Sequence, residues 1–421
     1  MSSYNNKILI DTLPKRLKPA VKFVRHQEQA SGLSTSRFIQ DFSVCMIPKA
    51  VFSRSVPDLT ENTFLEGAEE TLIYFTPAIL GEQLARKAFS KGLKSDLKKE
   101  VAVRGAELLK KAEKDIVAKE NNKKVVPVKA AIALSAMAIP LTEFSLNYIK
   151  NIMTLKLFNK SDFKNIASLE SSKEDVEHQK QVKESAKKHI KLAGALYAGC
   201  LALAGLLAVK GKKSKFLQKI SEFIVAPGTA MFKKSPKLKD FVNKYFCMDF
   251  NSQNGKLVLS KGQLTTCVLV GGAGYFGASA DRGKENLKET ATRFPIVGAY
   301  VIMGSAPLER CFRKLLHKHG KCSDLIDNKL RVPKVDDLGE IAENIALKNK
   351  TSVESEYKKL AKQKVMISGF PYIFSIGIMG FFVAGLTTYF TRKRYEKEHG
   401  KTEKSNTHHM FGGFAHFKDI A

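Results

Sequence analysis

Glu143 and Asn147 lie four residues apart, one helical turn, inside ALSAMAIPLTEFSLNYI, a stretch with no other charge. A carboxylate held within a bilayer is costly and marks proton or ion routes. The competing expectation is that the apolar stretch ends near Thr142, which leaves Glu143 at the membrane interface. A second group is CFRKLLHKHGKC, which gathers Cys311, His317, His319 and Cys322. Thiolate and imidazole suit a tetrahedral zinc site. The alternatives are a solvated basic loop or, in an oxidising compartment, a Cys311–Cys322 disulfide. His408, His409 and His416 fall among Gly and Phe near the terminus, where a disordered tail is expected. The sequence carries no Ser/His/Asp arrangement, P-loop or H-E-x-x-H.

The third candidate is CVLVGGAGYFGASADRG, residues 267–283, in which Gly272, Gly274 and Gly277 satisfy G-x-G-x-x-G. VGGAGYFGAS resembles the nucleotide-binding turn of extended short-chain dehydrogenases and epimerases, and Tyr389 and Lys393 match their Tyr-x-x-x-Lys pair. The resemblance implies a dinucleotide fold with Tyr389 as general acid/base and Lys393 lowering its pKa. It covers about ten residues. A Rossmann turn must lead into a helix with an apolar face, yet ASADRGKENLKETAT offers Leu287 alone. The ribose-binding acid about 20 residues on is missing from the end of FPIVGAYVIMG. The same glycines also form small-xxx-small faces, Ala273/Gly277 and Gly274/Ala278, of the kind that pack membrane helices. That is the preferred reading, so no cofactor is expected.

The elements that would position these residues are helical. The chain has 421 residues, with 70 Lys and Arg against 41 Asp and Glu, a formal charge of +29. Most of the positive charge is lysine, a point charge rather than a base reader. Anionic lipid head groups are therefore the expected partner, not sequence-specific nucleic acid. The first residues lack an apolar core long enough for a cleaved signal peptide, so insertion would depend on internal segments. The six cysteines are too scattered for a disulfide scaffold.

An amphipathic helix is expected near 60–90, with Phe64, Ala68, Leu72, Phe75 and Ile79 on the apolar face and Glu66, Glu69 and Glu70 opposite. A charged surface helix follows at 93–120, with Leu93, Leu97, Val101, Leu108, Ala112 and Ile116 on its stripe. Five uncharged stretches then appear between lysine-rich connections: 130–142 (to 149 if Glu143 is tolerated), 192–209, 262–280, 294–308 and 365–391. A hydrocarbon core about 30 Å thick takes roughly 20 helical residues, and 365–391 meets that requirement. In 192–209, Gly194/Ala198 supply a small-residue packing face, through which a homo- or hetero-oligomer could form. Pro295 and Pro307 bound 294–308.

The expected fold is mainly α, a polytopic helical membrane protein, with a soluble all-α basic protein as the alternative. Its parts would be a soluble or membrane-surface helical region (1–125), a helical membrane region (126–308), a charged soluble segment (309–364), a C-terminal transmembrane helix (365–391) and a basic tail (392–421). The expected role is a non-enzymatic scaffold or interaction component, the alternative a transporter-like protein using Glu143. The connection 210–261 carries twelve lysines against three acids, whereas 281–293 is nearly balanced. Lysine near span ends stays cytoplasmic, so 210–261 should face the cytoplasm. Both termini are cytoplasmic if 294–308 enters without crossing.

Overall fold

The computed structural model describes residues 6–28, 42–76, 122–232, 234–248, 251–253, 256–258, 261–303 and 306–400. In chain order the helices are α1 (Asn6–Thr12), α2 (Leu17–Glu28), α3 (Ile47–Val51), α4 (Val56–Thr76), α5 (Asn122–Ser135), α6 (Ala138–Phe158), α7 (Phe163–Ile166), α8 (Val176–Lys210), α9 (Lys215–Val225) and α10 (Pro227–Met231). They continue as α11 (Pro236–Phe246), α12 (Lys261–Ala280), α13 (Lys284–Met303), α14 (Ala306–Lys318), α15 (Leu338–Asn349), α16 (Val353–Phe374) and α17 (Val383–His399). One short antiparallel pair, β1 (Asn251–Gln253) and β2 (Lys256–Val258), interrupts them. The chain is mainly helical, as its periodicity implies. The expected helix 93–120, the 77–90 end of the helix before it and the histidines of the C-terminal tail lie outside the described residues.

Chain contacts form two units, 1–40 with 303–379 and 41–302 with 380–421. This differs from a division at 125, 308 and 364, because α1 and α2 pack with α14–α16 rather than with the helices that follow them. In the first unit Leu9, Leu13, Val21 and Val24 meet Leu316, Leu338, Tyr357 and Leu360 in one apolar core. Glu28 accepts from Lys364 at 2.6 Å and from the Val335 N–H at 2.7 Å, which ties the end of α2 to α16. Phe312 stacks on Phe370 at 3.9 Å.

The second unit is built around α6, which packs against α4, α8 and α12. Asp175 caps α8, its carboxylate accepting from the Glu177 N–H at 2.9 Å. The turn from α12 to α13 passes through Gly283 at φ +109°, a conformation that favours a residue without Cβ.

Among the described residues three helices are long and apolar enough to cross a membrane: Val126–Phe158, which joins α5 to α6, then α8, then Val353–His399. The last keeps a helical ladder through a π stretch, Ser375–Phe382, just after Pro371 removes an amide donor. Two expected segments fare differently. Residues 262–280 do form a helix, α12, but its Gly- and Thr-rich composition leaves it outside that set of three. Residues 294–308 are not an element of their own: Pro295 lies inside α13, and Pro307 opens α14. Pro307 stands in the first turn of α14, where donors lack intrahelical acceptors, whereas Pro295 sits in the interior of α13 and gives up one hydrogen bond of its ladder.

Candidate functional site

The acidic face of α4 points inward, the reverse of the sequence expectation. Asp58, Glu61, Glu66 and Glu70 are buried, whereas Phe64, Ala68 and Leu72 are only partly so. The acids face inward because they meet cations there: Arg54 and Lys49 from just before α4, and Arg282 from far along the chain. Arg282, 1 % exposed, donates both terminal nitrogens to Glu61 at 2.6 Å each. Thr154 donates to the same carboxylate. Burial alone would raise Glu61, but the Arg282 and Lys150 charges together with the Arg282 and Thr154 hydrogen bonds outweigh it and hold the carboxyl below its ordinary range. Arg54 donates to Asp58 at 3.1 Å and through its terminal nitrogens to Glu289 at 2.8 and 3.1 Å. Burial opposes the ionised form of Glu289, and Arg54 overrides it, so this carboxyl is also held low.

Around the next turns of α4 the charges are less fully matched. Lys49 pairs with Glu66. Burial pulls Lys49 down to about 7, with Arg293 acting in the same direction, and burial pushes Glu69 up to about 7. Both groups are thus shifted towards their neutral forms. The Cys45 thiol and the Glu66 and Glu70 carboxylates bring their ligand atoms within 4.8 Å of one another. The i, i+4 spacing of Glu66 and Glu70 was the sequence signal for this group, but nothing in sequence placed Cys45 beside it. Lys49 already supplies a cation there.

Glu143 and Asn147 come together at this layer. α6 runs on past Thr142 to Phe158, so Glu143 lies within a helix, its carboxylate against Gly271 of α12. Asn147, 1 % exposed, directs its amide nitrogen to the Glu143 carbonyl at 3.0 Å and towards Glu69 Oε1 at 3.4 Å. Both are acceptors, so the amide orientation is fixed. Glu143 Oε2 and Asn147 Oδ1 are buried and have no hydrogen-bond partner among the described residues.

The glycine motif has a packing role. CVLV and the glycines after it are one continuous helix, so no strand leads into a phosphate-binding turn, and the fold expected from the resemblance is absent here. Backbone donors at Gly272, Gly274 and Gly277 fall in a helix interior, where they belong to its ladder. A Cβ at Gly274 would stand 2.7 Å from the Phe144 carbonyl oxygen and 2.8 Å from its Cα. One at Gly271 would strike the Glu143 carboxylate, one at Gly272 the Phe294 ring and one at Gly277 the Tyr148 hydroxyl. Asn151 donates to the Ala278 carbonyl at 3.0 Å. The Gly274/Ala278 face therefore meets α6, whereas Ala273 is exposed. Gly194 and Ala198 are exposed too, and nothing lies within 4 Å of a Cβ built at Gly194. Among the described residues, then, that face has no packing partner.

The remaining candidates are dispersed. Cys311 is exposed on α14 and Cys322 is buried, both as free thiols. The only ligand-distance trio of His, Cys, Asp or Glu among the described residues is Cys45, Glu66 and Glu70, so His317 and His319 do not join the two thiols in a metal-sized group. Tyr389 and Lys393 are one turn apart on α17, with the ammonium 5.7 Å from the ring centroid. Comparison with protein-family models, curated proteins and solved structures finds no match to this chain.

Proposed function

We propose that this chain is an integral, multi-pass membrane protein acting as a non-enzymatic scaffold or interaction component. The observation that carries the reading is the apolar half of α8, where Leu192, Leu196, Leu201, Leu206 and Val209 are exposed along one long helix. Water is a poor solvent for such a surface and lipid a good one. Its uncharged part, 192–209, is about 27 Å long, at the short end of what a core of about 30 Å takes. Crossing by the three long apolar helices alone keeps 1–40 and 309–364, which share one core, on the same side, whereas the fourth crossing by 262–280 that the charge pattern suggests, with both termini cytoplasmic, would separate them. A second copy, or another membrane helix, would meet the open Gly194/Ala198 face.

A single substitution separates this from a soluble basic protein. Leu201→Lys should lower the membrane-inserted fraction sharply, since lysine at a span centre costs about 2.5–3.5 kcal/mol on insertion scales. On a soluble helix the same exposed change would be neutral, and unaltered yield and fractionation would count against insertion.

A transport-like role is the second reading, favoured by the buried oxygens of Glu143 and Asn147. Both are acceptors, so what would satisfy them is a donor: a proton on the carboxyl, or a cation. In reconstituted vesicles Glu143→Gln should abolish any proton or cation flux the protein supports, and an unchanged flux would remove this role.

A further inference from the structure

Between α8 and α12 the chain forms a compact helical connection whose outer face matches neither a soluble surface nor a packed core. On α9, Leu217, Ser221 and Val225 face inward, and Leu217 and Val225 join Ala130, Ala131, Ala204 and Leu207 in a small core. Away from that core, Phe216 is 71 % exposed, and Phe223, two turns on, is also exposed. On α11 the apolar residues Leu238, Phe241, Val242, Tyr245 and Phe246 recur at three and four, the spacing of one helix face. No residue of α11 is fully buried, and Leu238, Phe241 (56 % exposed) and Phe246 stand out from it.

Side-chain hydrogen bonds tie the connection together. Asn243 donates to the Thr229 hydroxyl at 2.9 Å, its side-chain oxygen accepts from the Thr229 N–H at 3.3 Å, and Cys247 donates to the Val225 carbonyl at 2.6 Å. Around the aromatics lie Lys212, Lys213, Lys215, Lys219, Lys237 and Lys244, all exposed.

We infer that α9–α11 lies in the plane of an anionic leaflet, with its phenylalanines in the head-group and upper acyl region and its lysines on acidic lipid. Two observations select this occupant. An apolar stripe bordered by lysine suits a surface-lying amphipathic helix, and the twelve lysines of 210–261 against three acids supply the complementary charge. The connection also begins directly after Lys210, where the apolar half of α8 ends, which is the depth of a head-group layer if α8 spans. The inference rests on the membrane reading for that position.

The chain contains no tryptophan, so one introduced indole reports alone. Phe241→Trp and Leu201→Trp would be reconstituted separately into vesicles of phosphatidylcholine, with and without phosphatidylserine, carrying lipids brominated at shallow or deep acyl positions. The Phe241→Trp emission should be blue-shifted and quenched chiefly by shallow bromine. Phosphatidylserine should strengthen that quenching, and high salt should weaken it. Leu201→Trp should be quenched by deep bromine in either lipid. Water-like, unquenched emission from Phe241→Trp alongside deep quenching of Leu201→Trp would overturn the inference and leave the membrane reading standing. Quenching of Phe241→Trp indifferent to phosphatidylserine would overturn the anionic assignment. A blue shift that follows protein concentration without lipid quenching would assign the face to a second copy instead. Absent quenching of Leu201→Trp would count against the membrane reading itself.

Discussion

Arg282 shows what a buried charge requires. Its guanidinium is nearly inaccessible and meets Glu61 through two parallel hydrogen bonds, so removing either partner strands the other away from water. Arg282→Met should destabilise the protein by about 3–5 kcal/mol, read from unfolding in detergent. Pairing it with Glu61→Leu should recover a large part of that loss. A single-substitution effect below about 1 kcal/mol would show that Glu61 is satisfied in another way.

Glu174 makes a different case at the α6–α8 connection. It accepts from Asn165 at 2.9 Å and from the Ser161 N–H and hydroxyl at 3.0 and 2.8 Å. Burial pushes its carboxyl up, but these donors outweigh burial and hold it low. A carboxylate depressed in the folded state stabilises above its ordinary range, and that contribution disappears as pH falls through the folded value. Wild type should therefore exceed Glu174→Gln in melting temperature at neutral pH, with the gap closing below about pH 4. A gap that persists in acid would assign the effect to packing.

At the scale of elements, the α6–α12 contact depends on a glycine column, and the sequence disclosed only part of it. Gly274/Ala278 and Gly194/Ala198 look alike as spacings. Which pair is used depends on the partner helix, and single-sequence periodicity carries no such information. Gly274→Val should destabilise by about 1–3 kcal/mol, because the new side chain meets Phe144 backbone that cannot rotate away. Gly194→Val should be close to neutral in the isolated chain. Equal losses at both sites, measured in parallel unfolding experiments, would contradict this packing. The reversed face of α4 has a similar cause: hydrophobic patterning assumes acids face out, and it fails where Arg282 arrives from far along the chain to receive Glu61. Likewise Pro295 suggested a boundary, but a helix already under way accommodates it in α13.

For the whole molecule, composition and the long apolar runs sufficed for the helical class and for the apolar parts of two long helices, 192–209 and 365–391, whereas the charged extensions of those helices, to Val176, Val353 and His399, were not legible. The grouping of residues 1–40 with 303–379 was not legible, since α1 and α2 find their core more than 270 residues further on. The polar layer of the second unit was visible only at Glu143 and Asn147, the residues whose polarity contrasts with an apolar surround. The acids of α4 have no such contrast locally. Membrane insertion is the claim on which topology, the lipid-facing side of α8 and the surface-lying connection all rest. Alkaline carbonate extraction of membranes carrying the full chain measures it most directly. The protein should remain in the membrane pellet until detergent is added, and its release by carbonate alone would contradict insertion.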